Sequence, residues 1–124
     1  MSYEKMEVPE GISRSEWIGL QQQFVAEGVE RGRELLAGLD KRFDVVQIAH
    51  QMHQWAGCAC QLGFHHVTES ARRTEQLLRD VPIRRSEVRE RITDLLLTFY
   101  DLSDDLLVSQ PDPVTLALLR KSVA

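Results

Sequence analysis

Apolar residues recur along almost the whole chain at the three- and four-residue spacing of an α-helix. No stretch alternates convincingly with a period of two, which is the pattern of a half-buried strand. The longest unbroken apolar series is Val88, Ile92, Leu95, Leu96, Phe99, Leu102 and Leu106. Four such stripes are separated by short breaks, and short connections favour antiparallel neighbours. The pattern therefore predicts an all-α fold, an up-down four-helix bundle.

Capping residues predict where the first two helices begin and end. Ser13 and Glu16 form a capping box, which starts a first helix over residues 14–38. Asp44 is placed to cap a second helix over residues 45–62, and a glycine follows it at the position where helices often end. The inward residues expected on the first helix are Trp17, Leu20, Phe24, Leu35 and Leu39. Gly28 and Gly32 indicate a close crossing with another helix.

Prolines predict the ends of the remaining helices. The third helix is expected to stop at Val81-Pro82, because proline lacks the helical N–H and disfavours helical backbone at the residue before it. The fourth runs from near Ser86 to the break at residues 110–111. Asp112 followed by Pro113 is an N-cap with a proline at the first helical position, which predicts a short additional C-terminal helix.

Length and charge limit the classes of function. A chain of 124 residues is one domain by the usual length prior, expected over residues 13–124 after a flexible lead-in at 1–12. The net charge is −4, from 15 basic and 19 acidic residues, whereas nucleic-acid-binding domains usually carry a basic excess. No apolar run approaches the roughly 18 residues that span a bilayer. We expect a cytoplasmic monomer that binds neither nucleic acid nor membrane.

The second helix presents His53 on a face of small or modestly apolar residues. At 100° per residue, its apolar residues cluster on one side as a buried stripe. These residues are Val45, Ile48, Met52, Trp55, Ala59 and Leu62. His53 lies roughly 130° from the centre of that stripe and is predicted to point to solvent.

Gly57 lies one turn beyond His53 on the same face. A glycine inside a helix costs about 1 kcal/mol relative to alanine, so its benefit here is space beside the imidazole. Another macromolecule is then able to bring its backbone or a phosphoryl group against His53. The residues expected to contact such a partner are Val46, Ala49, His50, Gln54, Ala56, Gly57, Cys60 and Gln61.

Residues 53–64, HQWAGCACQLGF, resemble the motif of histidine phosphotransfer (HPt) domains, which reads roughly H-x-L-K-G-S-A-x-x-L-G-A. The similarity extends back to Ala49 and forward into the third helix at Val67, Ala71 and Glu75. It implies a four-helix bundle with His53 as phosphoacceptor. His50 lacks both motif glycines, since Gln54 and Cys60 stand at those offsets.

The resemblance also implies a mechanism and partners. An HPt domain relays a phosphoryl group between the aspartates of receiver domains in two-component signalling, so the expected partners are response-regulator receivers or a hybrid histidine kinase. Such a domain is a phosphocarrier rather than an enzyme and needs no cofactor of its own, because Mg²⁺ belongs to the receiver. No Gly-rich nucleotide motif is visible, so autophosphorylation from ATP is not expected. Neutral imidazole is the nucleophile, and the ordinary pKa of histidine leaves much of it neutral at cytoplasmic pH.

Three positions depart from the HPt pattern. Trp55 stands for the motif leucine, Ala56 for the lysine, and Thr74 for the leucine expected before Glu75. The change at Ala56 removes a positive charge near the phosphoryl group. One of the arginines of the third helix, Arg72 or Arg73, is a candidate replacement, although both also read as ordinary solvated charge.

The sequence offers two other interpretations besides phosphotransfer. His50, His53, Cys58, Cys60, His65 and His66 suggest a metal site, but the two cysteines lie about 200° apart on the helix and cannot share an ion. No carboxylate of the second helix shares the histidine face, so no metal is expected. The alternative function is a helical docking module that binds receiver domains without being phosphorylated.

Overall fold

A computed structural model describes residues 8–109, and every regular element in that range is an α-helix. The helices are α1 (Arg14–Leu39), α2 (Val45–Leu62), α3 (His65–Arg79) and α4 (Arg85–Ser109). The predicted all-α fold is confirmed, and the bounds of α1 and α2 agree with prediction to within one residue. The short helix predicted after Asp112 falls outside the described residues. None of the four helices is long and apolar enough to cross a membrane.

The predicted N-caps are present at the starts of α1 and α2. Ser13 Oγ accepts a hydrogen bond from the backbone N–H of Glu16 at 3.1 Å, and Asp44 Oδ1 accepts one from the N–H of Gln47 at 3.1 Å. Gly63 ends α2 in the left-handed conformation, with φ of 86°, which a side chain would disfavour. Two side-chain caps thus fix the starts of α1 and α2, and the backbone freedom of glycine fixes the end of α2.

The four helices form a closed ring in which each packs against two neighbours. α1 packs extensively along α4 and α2 along α3, while α3–α4 and α1–α2 contacts complete the ring. Phe99 of α4 is fully buried at the centre. Its ring makes edge contacts with Trp55 of α2 at 5.0 Å and Phe24 of α1 at 5.6 Å between centroids. The core therefore holds α2 firmly, with its polar face outward.

The prediction that Leu20 points inward is wrong. Leu20 is 45% exposed, whereas the neighbouring Gln21 is 2% exposed. Gln21 is buried because its Nε2 donates a hydrogen bond to the carbonyl oxygen of Leu62 at 2.9 Å. That bond satisfies a carbonyl at the C-terminal end of α2, where no helical N–H is available. The buried face of α1 is consequently centred nearer Gln21 than Leu20.

The close crossing predicted at Gly28 and Gly32 is confirmed between α1 and α4. A Cβ atom added at Gly28 would overlap the ring of Phe99, and one added at Gly32 would lie 3.0 Å from Leu96 Cδ1. Gly19, by contrast, has open space where a Cβ would be. The glycines of one helix therefore serve different purposes.

We expect Gly28→Ala to destabilise the protein by about 1–3 kcal/mol, because the fully buried Phe99 cannot yield cheaply to an overpacked methyl group. Gly19→Ala is the matched control, and it should stabilise the protein by up to about 1 kcal/mol through helix propensity alone. The free energy of unfolding in urea measures both. Equal effects of the two substitutions would show that Gly28 is not a packing requirement.

Candidate functional site

His53 projects from the middle of α2 with a side chain that is 79% exposed. The predicted outward orientation is therefore correct. The exposed residues among those predicted to contact a partner are Val46, His50, Gln54, Gly57, Cys60 and Gln61. Together they form a continuous solvent-facing surface around the imidazole.

Ala49 and Ala56 differ from that set. Ala49 is half-buried and packs against the core. Ala56 is only 5% exposed, because Thr68 of α3 lies over its backbone and Thr68 Oγ1 is 3.5 Å from the Ala56 carbonyl oxygen. Ala56, predicted as a partner contact, is thus buried beneath the exposed surface and forms the floor beside His53.

A carboxylate from α3 stands against the inner nitrogen of the imidazole. Glu75 Oε2 is 3.6 Å from His53 Nδ1, an electrostatic contact rather than a hydrogen bond. Arg79 Nη2 donates to the same carboxylate oxygen at 3.4 Å, and the Glu75 side chain is 19% exposed. The negative charge favours a proton on Nδ1 of neutral His53 and so leaves the Nε2 lone pair free.

His53 borders an open hollow between α2 and α3 with a volume of about 410 Å³. The residues that line it are His53, Ala56, Gly57, Arg72, Glu75, Gln76 and Arg79. The α3 residues follow the three- and four-residue spacing of one helix face. A two-residue turn joins α2 to α3, so the helices run antiparallel and their register is fixed by the turn.

Gly57 keeps this hollow open. An added Cβ atom there would meet nothing within 4 Å, so the glycine does not serve a helix contact as Gly28 does. The predicted role of Gly57, space beside His53, agrees with this geometry. The hollow is consequently wide enough for a group carried by another protein to approach the imidazole.

Reasoning from the sequence missed most of the α3 side of the hollow. Glu75 matched the family pattern without a role, and neither Gln76 nor Arg79 was singled out. The signal was available: in a hairpin with a two-residue turn, residues at equal distances from the turn face each other. Counting outward from Gly63 pairs His53 with the stretch that contains Glu75.

The arrangement around His53 also bears on the metal interpretation. Glu75 approaches the imidazole from α3. This contact was not predicted from the sequence, because only the carboxylates of α2 were considered as ligands. Even so, residues 8–109 contain no group of three or more His, Cys, Asp or Glu side chains placed to hold a metal ion. Cys58 and Cys60 are both exposed free thiols.

The family model of the Hpt domain matches residues 19–106, which include all of α2 and α3. The chain therefore belongs to the Hpt domain family. Hpt domains act in two-component phosphorelays, where they interact with receiver domains and histidine kinases and are phosphocarriers rather than kinases. No curated protein and no solved structure matches the chain significantly.

Proposed function

We propose that this chain relays a phosphoryl group between the aspartates of receiver domains, and that His53 is the phosphoacceptor. The observation that carries the proposal is the exposed imidazole of His53 beside an open hollow, with the Glu75 carboxylate at its Nδ1. His53, unlike His50, lines this hollow and is followed one turn later by Gly57.

The proposed chemistry is an in-line displacement at phosphorus. Nε2 of His53 attacks the phosphorus of a receiver's aspartyl phosphate, the N–P bond forms, and the P–O bond to the aspartate breaks. The aspartate leaves as a carboxylate, while the Nδ1 proton stays beside Glu75. A second receiver aspartate then attacks the phosphohistidine and releases His53. Such transfer depends mainly on positioning and charge stabilisation, so a receiver with its own Mg²⁺ supplies what α2 lacks.

The surface around His53 suits a docking partner. Val46 is 79% exposed and lies about two turns before His53 on the same face of α2. The exposed α2 residues around His53 carry no fixed charge, so docking on this face of α2 buries no unpaired charge of that helix. The proposed contacts are Val46, Ala49, His50, Gln54, Gly57, Cys60 and Gln61, with Ala56 beneath them.

Phosphotransfer profiling tests the proposal. Each receiver domain of the source organism is labelled with radioactive phosphate and mixed with the purified chain. We expect at least one receiver to lose label to this protein, in a form that is acid-labile and stable to base, as a phosphoramidate is. A receiver that binds the chain tightly but never transfers label would instead support the docking module without phosphorylation.

Glu75→Ala is expected to slow phosphoryl transfer to His53 about tenfold, a barrier increase of about 1.4 kcal/mol, because the imidazole loses its preferred tautomer and orientation. Glu75→Gln is the matched control: its amide oxygen keeps a partial negative charge facing Nδ1, and both variants leave Arg79 without its carboxylate. Nitrogen NMR of the histidine ring should show less Nδ1–H tautomer in Glu75→Ala. Parent-like tautomers and rates in that variant would contradict a positioning role.

A further inference from the structure

The charges that line the hollow come entirely from α3. The α2 residues there are His53, Ala56 and Gly57, which contribute no fixed charge. A phosphoryl monoester carries about −1.5 to −2 charges at pH 7, and a phosphoryl group on His53 would add comparable charge close to Glu75. The site therefore needs a positive group that is not already neutralised.

The three arginines of α3 differ in their partners. Arg79 donates to Glu75 at 3.4 Å, and Arg73 donates to Glu69 at 2.8 Å. Arg72 lines the hollow and forms no ion pair or hydrogen bond with any residue of 8–109. Its guanidinium is thus the one uncompensated positive charge of the described hollow.

The register of the hairpin also favours Arg72. His53 lies ten residues before Gly63 and Arg72 nine residues after it, so the two differ by only about 1.5 Å in height along the antiparallel pair. Arg79 lies sixteen residues after Gly63, about 9 Å beyond the height of His53. The empty position at Gly57 is on the Arg72 side of the imidazole, toward the turn.

We propose that Arg72 binds the phosphoryl group on His53 and replaces the positive charge that α2 does not supply at Ala56. The guanidinium offers parallel N–H donors that match phosphoryl oxygens, and it need not break an existing ion pair to reach them. This inference rests on the proposed function, since it assigns a residue to the same phosphoacceptor site.

The test uses phosphoramidate, a small donor that phosphorylates histidine without a partner protein. The imidazole nitrogen attacks phosphorus, the P–N bond of the donor breaks, and ammonia leaves. Phosphorus NMR on the intact chain follows each histidine separately, so the exposed His50, His65 and His66 serve as internal controls. The variants are Arg72→Ala, Arg72→Lys and the neighbouring Arg73→Ala.

We expect Arg72→Ala to slow phosphorylation of His53 at least fivefold and to leave the other three histidines unchanged. Arg72→Lys should recover part of the rate, and Arg73→Ala should match the parent. The phosphoryl group on His53 should also titrate about half a pH unit higher in Arg72→Ala, because a nearby positive charge favours its dianion. A merely structural role for Arg72 would not move this titration.

Two results overturn the inference while leaving the proposed function intact. One is a parent-like rate and titration for phosphohistidine 53 in Arg72→Ala. The other is an equal loss in Arg73→Ala, which would indicate a general effect of charge on α3. If no receiver labels His53 in the parent protein, that result counts against the proposed function itself. It does so even if phosphoramidate phosphorylates His53.

Discussion

His53→Gln is expected to reduce phosphoryl uptake from a phosphorylated receiver by at least about 100-fold, to the background of the assay. The amide nitrogen of glutamine is not a nucleophile at neutral pH, so no side chain at this position would attack phosphorus. The His53 side chain is 79% exposed, and surface substitutions of this kind change stability by no more than about 0.5 kcal/mol. The melting temperature should therefore stay close to that of the parent.

His50→Gln is the matched control, since it removes an exposed imidazole three residues earlier on the same helix. We expect label uptake to persist and its rate to fall by no more than about threefold, because His50 is a proposed docking contact but does not line the hollow. Label uptake that survives His53→Gln but disappears in His50→Gln would show that the phosphoacceptor has been assigned to the wrong histidine.

Gly57→Glu is expected to slow phosphoryl transfer to His53 at least about tenfold, a barrier increase of about 1.4 kcal/mol. The new carboxylate would stand in the open space one turn from His53, where an incoming phosphoryl group must pass, and like charges repel at that range. The fold should not suffer, because a Cβ at this position meets nothing within 4 Å and glutamate is the better helix former. Transfer kinetics and thermal melting of the same preparation measure the two effects.

Gly57→Gln and Gly57→Ala separate the causes of that slowing. Glutamine adds the bulk of glutamate without its charge, and alanine adds only a methyl group while stabilising the helix by up to about 1 kcal/mol. We expect transfer rates to fall in the order alanine, glutamine, glutamate. A Gly57→Glu protein that melts far below the parent, or one that transfers at the parent rate, would contradict the role of Gly57 as open space.

Features encoded within a few residues were predictable from the sequence. Ser13 and Asp44 cap their helices through side chains that contact a backbone N–H three residues away. The outward face of His53 follows from the apolar stripe of its own helix. The close packing at Gly28 involves a distant residue, yet it was also predictable. A glycine inside a helix lowers helix stability, so its presence indicates that a side chain would not fit there.

Features that depend on a second helix were harder to predict. Leu20 was predicted to point inward because it fits the apolar spacing of its helix, yet Gln21 is the buried residue, through its bond to the Leu62 carbonyl. Ala56 was predicted as a partner contact, but it is buried, and Thr68 of α3 donates to its carbonyl oxygen. The contact between Glu75 and His53 joins residues that are close only because the turn at Gly63 sets the register. A helical wheel of one helix contains none of this information.

The atom that receives the phosphoryl group is the most direct test of the account. The chain is produced with ¹⁵N-labelled histidine, phosphorylated by the receiver that profiling identifies, and examined by NMR while the phosphoryl group is in place. We predict one phosphorylated nitrogen, Nε2 of His53, with Nδ1 of the same ring carrying a proton beside Glu75. A phosphoryl group on Nδ1 of His53, or on any other residue, would contradict it.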